Sequence, residues 1–281
     1  MIIILLSGKE FAKFKIKQMK AIVDSIEQKP VLALIKIGED AASERYVRNK
    51  IKRCEEVGIE SEVYKFSADI KQELVEELIH ELNSDKRTTA ILLQLPLPDG
   101  FDEEYLTNQI TPNKDVDGFT ISNTGKLSLG MDCNIAFTPR GIIELLKFYN
   151  IPIESQDVVI VNASNIVGKP LAQLFLQEGA TPTICHIKTK NLKQKIKGAD
   201  IVVLATGNAN FMGAEDFSEN TTIIDVSINF DDNGKMCGDV VKADYDKLLE
   251  KGCHITPVPG GIGQCTVIAL LENTINIALK N

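Results

Sequence analysis

Short apolar runs alternate with longer amphipathic stretches along almost the whole chain. In the first part the apolar runs cover residues 2–6, 31–37, 62–66 and 89–95, with helical patterns up to residue 28 and over 40–57 and 69–82 between them. This βαβα order buries a mostly parallel sheet between helices, with right-handed crossovers. Asp40 stands where a helix N-cap is expected and Gly58 where a C-cap is expected. Pro96, Pro98, Gly100, Pro112 and Gly118 then crowd a stretch that holds one short helical pattern, 102–110, and ends the first unit. A helix over 139–149, with Pro139 at its start, bridges to a second unit. There the alternation restarts: strand candidates at 158–161, 183–187, 200–205, 222–228 and 253–258, helices at 168–177 and 242–250. Five such strands predict a doubly wound sheet, and the amphipathic segment 266–279 can pack across either unit.

A length of 281 residues fits two units of roughly 100–150 residues each, large enough for proper cores. A net charge of −8 lacks the basic surface that phosphate backbones require, so no nucleic-acid partner is expected. The lysines of 9–20 alternate with Phe11, Phe14, Ile16 and Met19 and form a solvated helix face. The run 2–6 is too short to span a membrane and has no signal-peptide pattern around it, so no membrane partner is expected. Cys54, Cys133, Cys185, Cys237, Cys253 and Cys265 are scattered, with no C-x-x-C pair and no His at ligand spacing. A cytoplasmic, reduced protein without a metal is the expectation.

Two regions carry candidate chemistry. Val158-Val-Ile-Val-Asn162-Ala163-Ser164-Asn-Ile166-Val167-Gly168-Lys-Pro follows a buried strand and opens a helix, the setting in which N-terminal amides bind a pyrophosphate. Asn162 holds the place of a first glycine and tolerates positive φ; an ordinary strand–helix turn would have the same spacing. Thr206 and Gly207, and Ser227 and Ile228, end strands at the carboxyl edge where open α/β sheets bind ligands. After the second strand, Cys185-His-Ile187-Lys188-Thr189 offers no acid for a ribose 2′-hydroxyl, while Lys188 and Lys190 stand close by. That favours NADP and leaves NAD as the alternative.

In helix 40–57, Ser43, Tyr46 and Lys50 are spaced i, i+3, i+7 and fall within roughly a 60° arc. A structural stripe with a snorkelling lysine is the plain alternative. Gln94 ends an apolar strand before the break at Leu95-Pro96-Leu-Pro98, at a carboxyl edge. Asp115 and Asp117, in Lys114-Asp-Val-Asp-Gly118, can hydrogen-bond an amino-pyrimidine edge or simply form a turn. Thr256-Pro257-Val-Pro-Gly260-Gly261-Ile-Gly263 is a stiff and then permissive loop, suited to close approach of a ligand or to a hinge.

Taken in order, Ser43-Glu-Arg-Tyr46-Val-Arg-Asn-Lys50, Gln94-Leu-Pro-Leu-Pro98, Lys114-Asp-Val-Asp-Gly-Phe119, Ser164-Asn-Ile-Val-Gly-Lys-Pro170 and Thr256-Pro-Val-Pro-Gly-Gly261 resemble the motifs of the methylenetetrahydrofolate dehydrogenase/methenyltetrahydrofolate cyclohydrolase family. The resemblance covers essentially the whole chain. It implies an N-terminal α/β folate domain, 1–138, with the terminal helix 264–281 packing back, and a Rossmann-like doubly wound parallel-sheet domain, 139–263, the two facing each other across a cleft. It implies NADP-dependent oxidation of 5,10-methylenetetrahydrofolate, hydrolysis of the methenyl product to 10-formyltetrahydrofolate, a homodimer, and a place in one-carbon metabolism and purine biosynthesis. Lys50, positioned with Gln94 and Tyr46, is then the acid/base group, with its pKa necessarily lowered. Tyr46 stacks on the folate ring, Asp117 holds the pterin edge, and Ser43, Pro257, Gly260 and Gly261 complete the substrate contacts. Asn162, Ala163, Ser164, Ile166, Val167, Gly168, Ile187, Lys188, Thr206, Gly207, Ser227 and Ile228 form the cofactor site.

The chain departs from the family's pattern at several places. Asn162 stands for a usual Gly, Ala163 for a frequent Arg, and Ile187 for a Ser or Arg that helps hold the 2′-phosphate, so an NAD-preferring enzyme or a binder without turnover are the alternatives. Gln264-Cys265, Phe137 and Thr120 replace Pro-Met, Cys and His and are read as packing changes. A shikimate dehydrogenase-like enzyme would share the architecture but would not account for Gln94 or the 115–117 loop.

Overall fold

The computed structural model describes residues 5–231 and 233–280, apart from the side chains of Ala41, Ala42 and Ser43. The chain divides into two compact units, one formed by Phe14–Ala136 and the residues from Val267 onward, the other by the residues up to Lys13 and Phe137–Thr266.

Helix α1 (Gly8–Ser25) leads into β1 (Val31–Ile37), α2 (Ala41–Val57), β2 (Glu60–Phe66), α3 (Gln72–Ser84), β3 (Ala90–Leu93), α4 (Glu103–Gln109) and α5 (Ile121–Ser128). The three strands form a parallel sheet in the order β2-β1-β3. Central β1 is buried along its entire length, as expected of a largely apolar strand covered on both faces, and its one charged residue, Lys36, is buried with it. Ala33, Ile35 and Ile37 pack with Val75, Ile79 and Leu82 of α3 and with Leu106 and Ile110, each large side chain adding about 1.5–3 kcal/mol by burial. Edge strand β2 begins two residues before the expected position because Glu60 and Ser61 belong to a half-exposed, polar edge that apolar runs do not reveal. Asn273 donates to Val116 O (2.7 Å) and Ile135 O (2.8 Å), fixing the terminal helix within this unit.

The other unit contains α6 (Phe137–Phe148), β4 (Asp157–Val161), α7 (Gly168–Gln177), β5 (Thr181–Cys185), α8 (Leu192–Lys197), β6 (Ile201–Leu204), β7 (Thr222–Asp225), β8 (Asn229–Phe230), β9 (Met236–Cys237), α9 (Tyr245–Glu250), β10 (His254–Ile255) and the start of α10 (Ile262–Lys280). Its five-stranded parallel sheet runs β10-β7-β6-β4-β5, so the order reverses at β4. This is the Rossmann-like, doubly wound arrangement expected, with its switch point at the carboxyl end of β4. The hairpin β8–β9 and helix α5 were not anticipated.

The opening run 2–6, expected as a first strand of the N-terminal domain, is described only from Leu5. Leu5 bridges Ile255 in parallel, and Leu6, fully buried, donates its amide to Ile255 O at 2.8 Å. The start of the described chain thus lies beside β10. Helix α10 is long and apolar enough to cross a membrane, but most of it is buried in the fold, as in the core helix of a soluble protein.

Candidate functional site

Helix α2 is seated on its own sheet by a buried cation. Lys36, the next-to-last residue of β1 and 2% exposed, donates to Gly38 O and to Glu44 Oε1, both at 2.8 Å. Glu44 also meets Lys65 at 3.3 Å, and its carboxyl is held below the usual range by hydrogen bonds from Lys36 and then Lys65. The first turn of α2 is thereby tied to β1, which sets the rest of the helix.

Two turns on, Lys50 Nζ donates to Gln94 Oε1 at 2.9 Å. Gln94 lies just past β3, its amide N bonded to Ile35 O (2.9 Å) and its Nε2 to Leu95 O (2.7 Å), so the side-chain oxygen is aimed at the lysine. Burial pushes the Lys50 ammonium below its ordinary pKa, and the negative charge of Asp117 opposes that shift. Burial lifts Asp117 to about 7, opposed by Lys50 and reinforced by Asp115. Lysine, amide and carboxyl therefore form one electrostatic cluster, with Tyr46 on α2 47% exposed. The Ser43 side chain lies outside the described residues.

Asp115 does not offer its carboxylate to a ligand. It is buried and accepts from Gly118 N (Oδ1, 2.9 Å), Thr120 N (Oδ2, 2.9 Å) and Asn123 Nδ2 (Oδ2, 2.9 Å). Of the two acids in the loop, one builds the turn and the other, Asp117, is near enough to Lys50 for their charges to interact. Gly118 is required at φ +70°, where an added Cβ would meet Asn134 O at 2.4 Å.

At the switch point, Asn162 does not take the positive φ expected of it. Its side chain organises the turn instead: Oδ1 accepts from Ser164 N (2.9 Å), Ser164 Oγ (2.7 Å) and Gly168 N (3.0 Å), and Nδ2 donates to Ala205 O (2.8 Å). Ser164 Oγ in turn accepts from Val167 N at 3.1 Å. The amides of Asn165 and Ile166 have no hydrogen-bond partner among the described residues and are exposed, which leaves donors open at the N-terminus of α7. Ala163, half-buried, leads into this turn. Gly168 lies so near the strand end that a Cβ would meet Asn162 O at 2.0 Å. An anionic pyrophosphate fits this cradle of open amides.

Around it stand Ile166, Ile187 and Ile228, exposed apolar residues, with Ile187 wholly so. Exposed Lys188 follows, its amide bonded to His186 Nδ1 at 3.1 Å. Thr206, Gly207 and Ser227 are engaged with one another through a residue that the motifs did not single out, Asp239. It is fully buried and accepts from Thr206 N and Asn208 N, and Ser227 Oγ donates to it. Its only sequence signal was an acid in a Gly-Asp pair with no helix to cap.

Pro257, Gly260 and Gly261 belong to this same unit rather than to that of Lys50. Gly260 is left-handed at φ +109°, and its carbonyl accepts from Lys9 N at 3.2 Å; Gly261 O lies 2.0 Å from where a Cβ on Gly8 would stand. Among the described residues no group of three or more His, Cys, Asp or Glu could hold a metal ion.

A lysine–amide–carboxyl cluster in one α/β unit and a switch point with open amides in a Rossmann-like unit suit a two-domain nucleotide-dependent enzyme. Residues 6–117 match the family described as the tetrahydrofolate dehydrogenase/cyclohydrolase catalytic domain, and residues 136–281 its NAD(P)-binding domain. The bifunctional protein FolD of Bacillus cytotoxicus is 44% identical over 283 residues, covering 100% of this chain and 98% of that protein. The bifunctional FolD methylenetetrahydrofolate dehydrogenase/cyclohydrolase of Campylobacter jejuni superposes with a TM-score of 0.94 at 40% identity, over 99% of each chain. FolD of Trypanosoma brucei, solved with NADP cofactor and inhibitor, superposes at 0.91 with 29% identity, over 99% of this chain and 98% of that one. The chain belongs to the tetrahydrofolate dehydrogenase/cyclohydrolase family, bifunctional enzymes of folate one-carbon metabolism.

Proposed function

We propose that this protein oxidises 5,10-methylenetetrahydrofolate with NADP and hydrolyses the methenyl product to 10-formyltetrahydrofolate. The observation that carries the reading is the 2.9 Å contact of Lys50 with Gln94 beside Asp117, in surroundings that lower the lysine's pKa. We assign folate chemistry to the unit of Phe14–Ala136 and dinucleotide binding to that of Phe137–Thr266.

Hydrolysis begins with water attacking the cationic methenyl carbon. As the new C–O bond forms, the water must lose a proton, and an uncharged Lys50 amine accepts it; the same group returns a proton to the ring nitrogen as the C–N bond breaks. An amine near pKa 10.4 would be charged at neutral pH and unable to start this sequence, so burial is what fits Lys50 for the role. Gln94 Oε1, accepting from Nζ, orients the amine's lone pair. Tyr46 offers an exposed ring for stacking on the folate, and Asp117, its carboxyl pushed up to about 7 by burial, suits a hydrogen bond to an amino-pyrimidine edge. Ser43, Pro257, Gly260 and Gly261 are assigned to substrate contacts.

When bound, NADP supplies the hydride acceptor. Open amides beside Ala163, Ser164, Val167 and Gly168 suit its pyrophosphate, Ile166, Ile187 and Ile228 its apolar faces, Lys188 its 2′-phosphate, and Thr206, Gly207 and Ser227 its nicotinamide half. The NADP complex of the Trypanosoma brucei relative supports the choice. Apolar Ile187 beside Lys188 favours NAD as the second reading. A cytoplasmic homodimer that supplies formyl groups to purine biosynthesis completes the proposal.

The test is one set of assays on wild type and Lys50→Met. Wild type is expected to reduce NADP in preference to NAD with methylenetetrahydrofolate, and the variant to lose cyclohydrolase turnover by about 10²-fold or more while still binding folate. Turnover with NAD alone would overturn the cofactor assignment, and undiminished hydrolysis by the variant would overturn the role of Lys50.

A further inference from the structure

The loops that follow β6 and β7 reach the carboxyl edge of the Rossmann-like sheet with little packing to hold them. Residues 207–210 are exposed, Gly207 has φ +71° with nothing within 4 Å of where a Cβ would stand, and Ile228 is 41% exposed. What joins them is the carboxylate of Asp239, which has no solvent exposure. Its Oδ2 accepts from Thr206 N at 2.7 Å and Ser227 Oγ at 2.9 Å; its Oδ1 accepts from Asn208 N at 3.1 Å and Asn229 Nδ2 at 3.0 Å. Ser227 Oγ accepts in turn from Gly207 N at 3.1 Å, which closes the ring between the loops. Two donors come from the loop after β6 and two from the segment after β7.

Asp239 is itself fixed from below. Asp225, the last residue of β7, accepts from Asp239 N at 3.0 Å and Val240 N at 2.9 Å, and its own amide donates to Thr256 Oγ1 at 2.8 Å. Residue 238 must be glycine for this approach, since a Cβ there would meet Asp225 Oδ2 at 2.0 Å. An acid that only capped a turn would serve one segment. This one sets the distance between two ligand-facing loops, and each of its oxygens is filled by one donor from each loop.

We propose that Asp239 is a positioning residue for the dehydrogenase reaction, holding the 206–208 and 227–229 loops at the separation the nicotinamide half requires. The proposal rests on the assignment of the cofactor site to this unit. Asp239→Asn keeps the shape and puts an NH2 group against two of the four donors, so both loops loosen. Its dehydrogenase kcat/KM for NADP is expected to fall ~10²-fold, with a larger primary isotope effect from deuterated methylenetetrahydrofolate as hydride transfer becomes limiting. Hydrolysis of added methenyltetrahydrofolate without nucleotide serves as the internal reference and is expected within about twofold of wild type, because ~10²-fold sensitivity belongs to the misplaced reactant alone. Asn229→Ala, which removes one donor and keeps the carboxylate, is expected to show a smaller fall of the same pattern and decides the matter if Asp239→Asn does not fold. Unchanged kcat/KM, or a parallel loss of both activities with no change in isotope effect, would overturn the proposal. A wild-type protein that reduces neither NADP nor NAD would instead overturn the cofactor assignment, and the proposal with it.

Discussion

Gly168→Ala adds one methyl group at the tightest point of the anion cradle. The added Cβ would lie 2.0 Å from Asn162 O and 2.5 Å from its carbonyl carbon, both backbone atoms at the end of β4, where ordinary contacts begin near 3.4 Å. A flexible side chain could swing aside, but a strand end cannot, so α7 must withdraw by more than about 1 Å. Alanine is the better helix former by up to about 1 kcal/mol in a helix interior, and less at the first position. Overpacking at about 1–3 kcal/mol outweighs that gain. The retreat also stretches the 3.0 Å bond from Gly168 N to Asn162 Oδ1 and carries the open amides of Asn165 and Ile166 away from a bound pyrophosphate. The expected result is a melting temperature lowered by about 2–4 °C per kcal/mol lost and a kcat/KM for NADP reduced by up to ~10²-fold. Cyclohydrolase turnover is expected to persist below the melting transition, since Lys50, Gln94 and Asp117 belong to the other unit. Calorimetry and the two activity assays decide it. An unshifted melting curve with unchanged NADP kinetics would refute the claim that this close approach shapes the site.

Two further perturbations test the folate-side cluster. Because burial lowers the Lys50 pKa, the uncharged amine becomes available below the ordinary lysine range, so kcat for hydrolysis should rise with pH and level off below about 10.4; Asp117→Asn removes the charge that favours the ammonium and should move that limb to lower pH at saturating substrate, whereas an unmoved or raised limb would contradict the coupling. Asp115→Asn should destabilise the chain by about 1–3 kcal/mol, since an NH2 group must then face an amide donor inside the turn, and should weaken folate binding through displacement of Asp117; a denaturation midpoint equal to wild type would show that the turn does not depend on the carboxylate.

How far the sequence could be read depended on what kind of signal each feature left. β1 was legible with its bounds intact, because a strand buried on both faces is apolar almost throughout, with Lys36 the single exception. Its neighbour β2 was clipped by two polar residues, and helix α5, which contains Gly125 and begins at a Thr120 cap, lacks the apolar stripe by which helices announce themselves. Lys50 and Gln94 were within reach because helical spacing and a strand end bring side chains to predictable places, and the structure joins them at 2.9 Å. Asn162 stands at the strand-to-helix turn but organises it differently from what its type suggested: residue type pointed to backbone freedom, whereas its amide group bonds three donors and one acceptor. Asp225 and Asp239 left almost no trace for a related reason. Asp225 gathers the amides of Asp239 and Val240, and two of the four donors to Asp239 are amides; a backbone amide is the same at every residue except proline, so no pattern of side chains can reveal which ones a carboxylate will gather. Where side chains meet side chains the sequence can be read for the site; where a side chain organises backbone, only the folded chain shows it.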